Sequence, residues 1–129
     1  MQAVIDYYGP TDFLRMDEHA LPSAPFKHDA ADSPESQLVG GPIRENDIAV
    51  KRASPVTYAS KDDPPFLVVH GDQDPLVPLH QSRILEEALL KAGVSVKLYT
   101  VRGAGHGQGF DQDPAIVPLV KEFLARAFR

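Results

Sequence analysis

The run Phe66-Leu67-Val68-Val69-His70 is apolar for almost its whole length and stops at Gly71. Such a run fits a strand covered on both faces, the situation of a strand inside a parallel sheet. The residues after Gly71 narrow the fold further. An acidic turn, Asp72-Gln73-Asp74-Pro75, leads into a stretch from Leu79 to Ala92 that sets Ile84, Leu85, Ala88, Leu89 and Ala92 on one helical stripe. Gly93 stands where a helix ends in left-handed backbone. Two more β-type runs flank this unit. Ala3 to Tyr8 is nearly continuous in apolar residues and closes on Gly9-Pro10, whereas Val94 to Val101 alternates Val94, Val96 and Leu98 against Ser95, Lys97 and Tyr99. The alternation gives the third run one wetter face and suits an edge position. Strand, long crossover, strand, helix, strand, loop and helix is an α/β order, and right-handed crossovers make it a parallel sheet with helices on both faces.

The crossover, residues 11 to 64, is the least regular part of the chain. The twelve prolines gather in and around it, with eight of them between residues 10 and 65. Ser33-Pro34-Glu35 predicts a helix start and Gly40-Gly41-Pro42 its end; residues 45 to 53 predict a second helix with Ile48, Val50 and Ala53 apolar; Asp62-Asp63-Pro64-Pro65 delivers the chain into the second strand. Near the C-terminus, Asp113-Pro114 reads as an N-cap and first-turn pair for a helix with the stripe Ile116, Val117, Val120, Phe123, Leu124 and Ala127. Pro118 lacks an interior donor, so the regular part is expected to begin nearer Val117. At 129 residues these elements amount to one domain, residues 1–129. A net charge of -5 gives no electrostatic footprint for nucleic acid or an anionic membrane. No apolar run approaches the roughly 20 residues of a membrane span, and the first residues lack the pattern of a leader peptide. Opening directly on a strand-like run reads as the tail of something longer. The absence of cysteine removes disulfides, thiolate catalysis and Cys-ligated zinc.

Chemistry gathers at two strand ends. In open α/β sheets, ligands and catalytic groups collect at the carboxyl ends of the strands. Asp72 and Asp74 follow the second strand there, and the glycine-rich loop Gly103-Ala104-Gly105-His106-Gly107-Gln108-Gly109 follows the third. Taken singly, the aspartates read as turn residues that bond nearby backbone, and the loop as flexible surface. Taken together, they emerge at the same edge from successive parallel strands, so Asp74 and His106 are expected to be neighbours. A carboxylate on one ring nitrogen orients an imidazole and makes the other a better base. His70, at the end of a buried strand, is expected to be a hydrogen-bonded core residue, and His19, His28 and His80 to be solvated. Asp72-Gln73-Asp74 and Asp111-Gln112-Asp113 do not continue into a calcium loop, so no metal is expected. Tyr7, Tyr8 and Phe110 suit either an acyl or aromatic pocket or ordinary packing.

His70-Gly-Asp-Gln-Asp-Pro-Leu-Val-Pro78 followed by Gly103-Ala-Gly-His-Gly107 resembles the C-terminal half of α/β-hydrolases, most closely the prolyl-oligopeptidase-like and carboxylesterase or feruloyl-esterase-like branches. Tyr7-Tyr-Gly-Pro-Thr-Asp12 and Ser54-Pro-Val-Thr-Tyr58 are similar to these enzymes too. The resemblance implies a partial α/β-hydrolase fold, its three strands being the sixth to eighth of the family sheet. It implies Asp74 as triad acid and His106 as triad base, with Asp72 outside the triad. Such enzymes need no cofactor and act on small ester or peptide substrates by acyl transfer. The departure from the pattern is a missing nucleophile: no G-x-S-x-G occurs among residues 1–129, and no His-Gly-Gly-type oxyanion segment. The expectation is therefore the C-terminal portion of a serine ester hydrolase, inactive alone. The alternatives are a peptidase of the prolyl-oligopeptidase type and a non-catalytic binding or scaffold module. The Ala3–Tyr8 edge carries no Lys and no Pro and is expected to pair with a missing N-terminal half or with a second copy.

Overall fold

The computed structural model describes residues 1–129. Three strands, β1 (Val4–Tyr7), β2 (Phe66–Gly71) and β3 (Val96–Val101), form one sheet in the order β1-β2-β3. Both pairings are parallel, with Tyr7 opposite Val69 and Val69 opposite Tyr99, so all three carboxyl ends lie at one edge. β2 is central and β3 is an outer strand, as its alternation predicts.

The side-chain alternation of β2 divides the core. Leu67 and Val69 face one side and pack with Val101, Ala104 and Ile116. Val68 faces the other and packs with Leu85, Leu89 and Val94. The crossover holds two short helices, α1 (Pro34–Val39) and α2 (Asp47–Ala53), among several 3-10 turns. Helix α3 (Leu79–Lys91) covers the Val68 face on its way to β3, and helix α4 (Ile116–Ala127) covers the Leu67 face. Leu67, Val68 and Val69 are wholly buried, and each such side chain stabilises the fold by about 1.5–3 kcal/mol.

Helix α1 starts where Ser33 Oγ accepts the Ser36 N–H at 3.1 Å and ends at Gly40 with φ 84°. A small core of Phe13, Ile43 and Val50 fills the crossover layer. Gln81 of α3 ties it to the rest: its Oε1 accepts the N–H groups of Thr11 and Asp12 at 2.8 and 2.7 Å, and its carbonyl accepts Thr11 Oγ1–H at 2.7 Å.

The start of the last helix corrects the sequence reading. Asp113 is not the N-cap of α4, which begins at Ile116 after Ala115. A 3-10 turn over Phe110–Gln112 leaves Asp113 as its extended end residue, too early to cap the helix. Its Oδ1 accepts the Ala115 N–H at 2.9 Å and its Oδ2 accepts the Tyr99 hydroxyl at 2.9 Å. Pro118 is the third residue of α4, where a backbone donor has no helical partner anyway.

Candidate active site

Asp74 sits in the turn between β2 and α3 and is 1% exposed. The loop after β3 lies directly over this turn. Gln73 N–H donates to Ala104 O at 2.9 Å, Asp72 N–H to Val101 O at 3.2 Å, and Gly103 N–H to Asp72 Oδ1 at 2.7 Å. Asp72 thus holds the loop, as a turn residue would. The approach is close enough that a Cβ on Gly71 would stand 2.2 Å from Ala104 O and 2.5 Å from Gly105 O, so only glycine fits.

This stacking brings His106 to Asp74, with Nδ1 at 2.8 Å from Oδ2. Oδ1 is occupied separately by the N–H groups of Leu76 and Val77, each at 2.9 Å. Burial alone disfavours the charged carboxyl, but hydrogen bonds from His70, the Val77 N–H, His106 and the Leu76 N–H outweigh it and hold Asp74 below the ordinary carboxylate range. An ionised Asp74 only accepts, so Nδ1 of His106 carries a proton, and in the neutral ring Nε2 holds the lone pair. The His106 side chain is 29% exposed, so that lone pair can reach a reactant. No serine bonds to His106: Ser82 meets His70, Ser54 meets the Phe13 N–H, and Ser33 and Ser36 bond to each other.

His70 is the core residue expected of it. It has no exposed surface; Nδ1 lies 2.5 Å from Ser82 Oγ and Nε2 2.8 Å from Val77 O and 3.3 Å from Asp74 Oδ2. His19 is exposed and stacks on the half-buried His80 at 3.5 Å between ring centroids. His28, expected in solvent, is instead buried at 3% exposure. It is bonded through Nδ1 to Glu35 and through Nε2 to Leu76 O. The reason is tertiary: the crossover folds back over the Asp74 turn, and no periodicity in a proline-rich stretch signals that.

An aromatic cluster meets His106 through Tyr8. Tyr8 lies 4.3 Å from the imidazole, Phe110 packs 5.5 Å from Tyr8, and Tyr7 packs 6.2 Å from both Tyr8 and Phe110. Tyr8 has φ 48°, the one non-glycine residue in left-handed backbone. A conformation of this kind costs on the order of 1–3 kcal/mol and persists only where surroundings enforce it. Here β1 ends with the Tyr8 N–H on Val69 O at 2.9 Å, and the left-handed step turns the ring onto the imidazole. Gly9-Pro10 signals a turn in the sequence, but nothing there marks Tyr8 as its strained residue.

Comparison with known proteins gives this chain a family. The BD-FAE family model matches residues 1–89, which include Asp74. The chain belongs to the BD-FAE family. The esterase LipQ of Mycobacterium tuberculosis is 33% identical over 96% of this chain, which spans 29% of LipQ. A truncated form of a carbohydrate esterase from gut microbiota has a TM-score of 0.85 at 33% identity, over all of this chain and 44% of that one. A puromycin-hydrolysing peptidase of M. tuberculosis has a TM-score of 0.63 at 27% identity, over 82% of this chain and 15% of that one. This BD-FAE chain thus spans less than half the length of these relatives. Its three parallel strands and flanking helices are a part of the α/β-hydrolase fold, and its similarity is to esterases and to prolyl-oligopeptidase-like hydrolases.

Proposed function

We propose that the chain supplies the acid and base of a Ser-Asp-His triad in a carboxylic ester hydrolase, with Asp74 as acid and His106 as base. The observation that carries this reading is the 2.8 Å bond from His106 Nδ1 to a buried, ionised Asp74 that leaves Nε2 open. In the proposed reaction a serine hydroxyl from outside residues 1–129 attacks the ester carbonyl. His106 Nε2 takes the serine proton and then gives it to the leaving alcohol, which departs from the tetrahedral intermediate. Water repeats the sequence on the acyl-enzyme and releases the acid. Asp74 keeps the imidazole in the productive tautomer and stabilises its protonated form. The free edge of β1 is the proposed attachment point for the strands that bring the serine.

Ester substrates are favoured over amides because the carbohydrate esterase shares the higher structural similarity, 0.85 against 0.63 for the peptidase. The test joins this chain to the preceding segment of LipQ and follows p-nitrophenyl acetate hydrolysis. We expect turnover in the chimera and a fall of roughly 10³–10⁴-fold or more in kcat for Asp74→Asn and for His106→Ala. The chain alone should show no saturable turnover. Chimera activity unchanged by His106→Ala would overturn the assignment.

A further inference from the structure

Two consecutive peptide groups, those of Leu76 and Val77, carry the Asp74 carboxylate on their N–H groups at 2.9 Å each. Each residue is also gripped at its carbonyl by a buried histidine. His70 Nε2 donates to Val77 O at 2.8 Å, and His28 Nε2 donates to Leu76 O at 2.9 Å. His70 comes from β2, beside the site. His28 comes from the crossover and has no part in the proton transfer between serine, His106 and the leaving group.

The second nitrogen of His28, Nδ1, is 3.0 Å from Glu35 Oε2, and the two side chains are only 4% and 9% exposed. A carbonyl oxygen cannot donate, and neither can an ionised carboxylate. With Glu35 charged, both ring nitrogens must therefore carry protons, and His28 is an imidazolium. Burial works against that charge, but the Glu35 bond and charge, the Leu76 carbonyl and the Asp17 carboxylate hold His28 above the ordinary imidazole range. Burial likewise opposes the Glu35 charge, and the His28 bond overcomes it, leaving Glu35 below its ordinary value. The groups facing His28 are Glu35 from α1, Asp17, whose Oδ1 accepts the His28 N–H, the Phe26 ring at 5.0 Å, and Leu76 O.

We propose that His28, charged opposite Glu35, is a positioning residue for the Asp74–His106 pair: it pins the Leu76 carbonyl so that the peptide groups binding Asp74 Oδ1 keep Oδ2 aimed at His106. The proposal rests on the triad reading for its significance but is tested without turnover. A loss of its proton leaves His28 one donor for two acceptors, so either Glu35 or Leu76 O loses its bond. The Asp74 turn therefore tightens or loosens with the protonation of a residue in the crossover.

The experiment is NMR on the isotope-labelled chain. It reads the His106 Nδ1–H resonance, its exchange with water, and amide protection at Leu76 and Val77, with Val68 and Leu89 as core references. In His28→Gln and Glu35→Gln we expect protection at Leu76 and Val77 to fall by about tenfold or more, the ratio a charge-assisted bond implies. The His106 Nδ1–H should exchange faster while Val68 and Leu89 keep their protection. In the unaltered chain the same two amides should lose protection as His28 titrates towards alkaline pH. That arm needs no variant to fold. Unchanged protection at Leu76 and Val77 and an unchanged His106 signal, with only the melting temperature lowered, would make His28 a structural tie and overturn the proposal; so would protection that ignores the titration of His28. An inactive LipQ chimera alongside the expected NMR result would reject the triad reading and leave the positioning intact.

Discussion

From β2 through β3, neighbouring backbones bond to one another and Leu67, Val68 and Val69 are wholly buried. In residues 9–65 the backbone bonds are mostly local turns and short helices, and the ties between segments fall largely to side chains. Gln81 accepts two backbone N–H groups, Asp17 accepts those of His28 and Asp29, Ser54 accepts that of Phe13, and Ser36 bridges Ala30 O and the Ile43 N–H. The difference is one of reach. A parallel ladder repeats and needs only apolar cover, so its sequence is periodic. A crossover with two short helices must place each polar group individually. Both regions meet at Leu76-Val77, where the strand side offers His70 and the crossover side offers His28.

The largest expected effect tests the periodic region. Leu67→Ala empties a site at the centre of the sheet and should lower stability by about 2–5 kcal/mol. It is read as a shift in denaturation midpoint, with exchange accelerated throughout the chain. A loss below about 1 kcal/mol would show that the crossover, rather than the sheet, carries the fold.

Gln81→Leu tests the other region. The substitution keeps apolar volume but leaves the Thr11 and Asp12 N–H groups without their acceptor, at a cost of about 1–3 kcal/mol for the buried one. Part of this is offset, because Gln81 Nε2 is itself buried without a partner. We expect amide exchange in residues 9–65 to rise first while β2 stays protected. Equal acceleration in both regions would mean that they unfold as one unit.

These two contrasts also explain what was legible in the sequence. The three strands, α3 and the α/β order follow from period and turn signals, and the ends of α1 follow from Ser33-Pro34 and Gly40. The Asp74–His106 contact follows from topology, because loops after successive parallel strands share an edge. The His28–Glu35 pair was not legible, since His28 lies in irregular backbone and its third contact, Leu76, is remote in sequence. The Tyr8 ring on His106 was equally hidden. Its cause is a single left-handed residue, and local sequence offers no pattern for one. Asp113 misled for a related reason: Asp-Pro is a sound helix-start signal, but a short turn used it first.

The pH response should separate the regions again, by a smaller margin. Asp17 and Glu35 both lie in the crossover; burial opposes their ionisation, and hydrogen bonds overcome it and lower both pKa values. A depressed carboxyl contributes stability that is full above its unfolded value and is lost as pH falls through the folded one. His28 is raised, so its contribution is full below the ordinary imidazole value and is lost as pH rises through its folded value. The crossover is thus most stable between the ordinary carboxylate and imidazole ranges. Asp74 adds an acid-side loss at the site itself. Exchange measured across pH should show residues 17–36 loosening on both sides of that window. The β2 core, which is held by apolar packing, should follow only at greater acidity. A crossover indifferent to alkaline pH would contradict the charged state assigned to His28.

The smallest expected effect isolates conformation from contact. Gly40 ends α1 in left-handed backbone, and a Cβ there would meet nothing within 4 Å. Gly40→Ala therefore adds no clash and removes no bond. Its cost is the left-handed strain of an L-residue, about 1–2 kcal/mol, partly offset by the lower entropy of the unfolded chain. A net loss near 1 kcal/mol, confined to exchange in α1 and its neighbours, would show that the crossover responds locally to local strain. Because Glu35 lies in the first turn of α1, the same variant should speed exchange at Leu76 slightly through His28. If α1 loosens and Leu76 does not follow, the helix and the Asp74 turn are held independently.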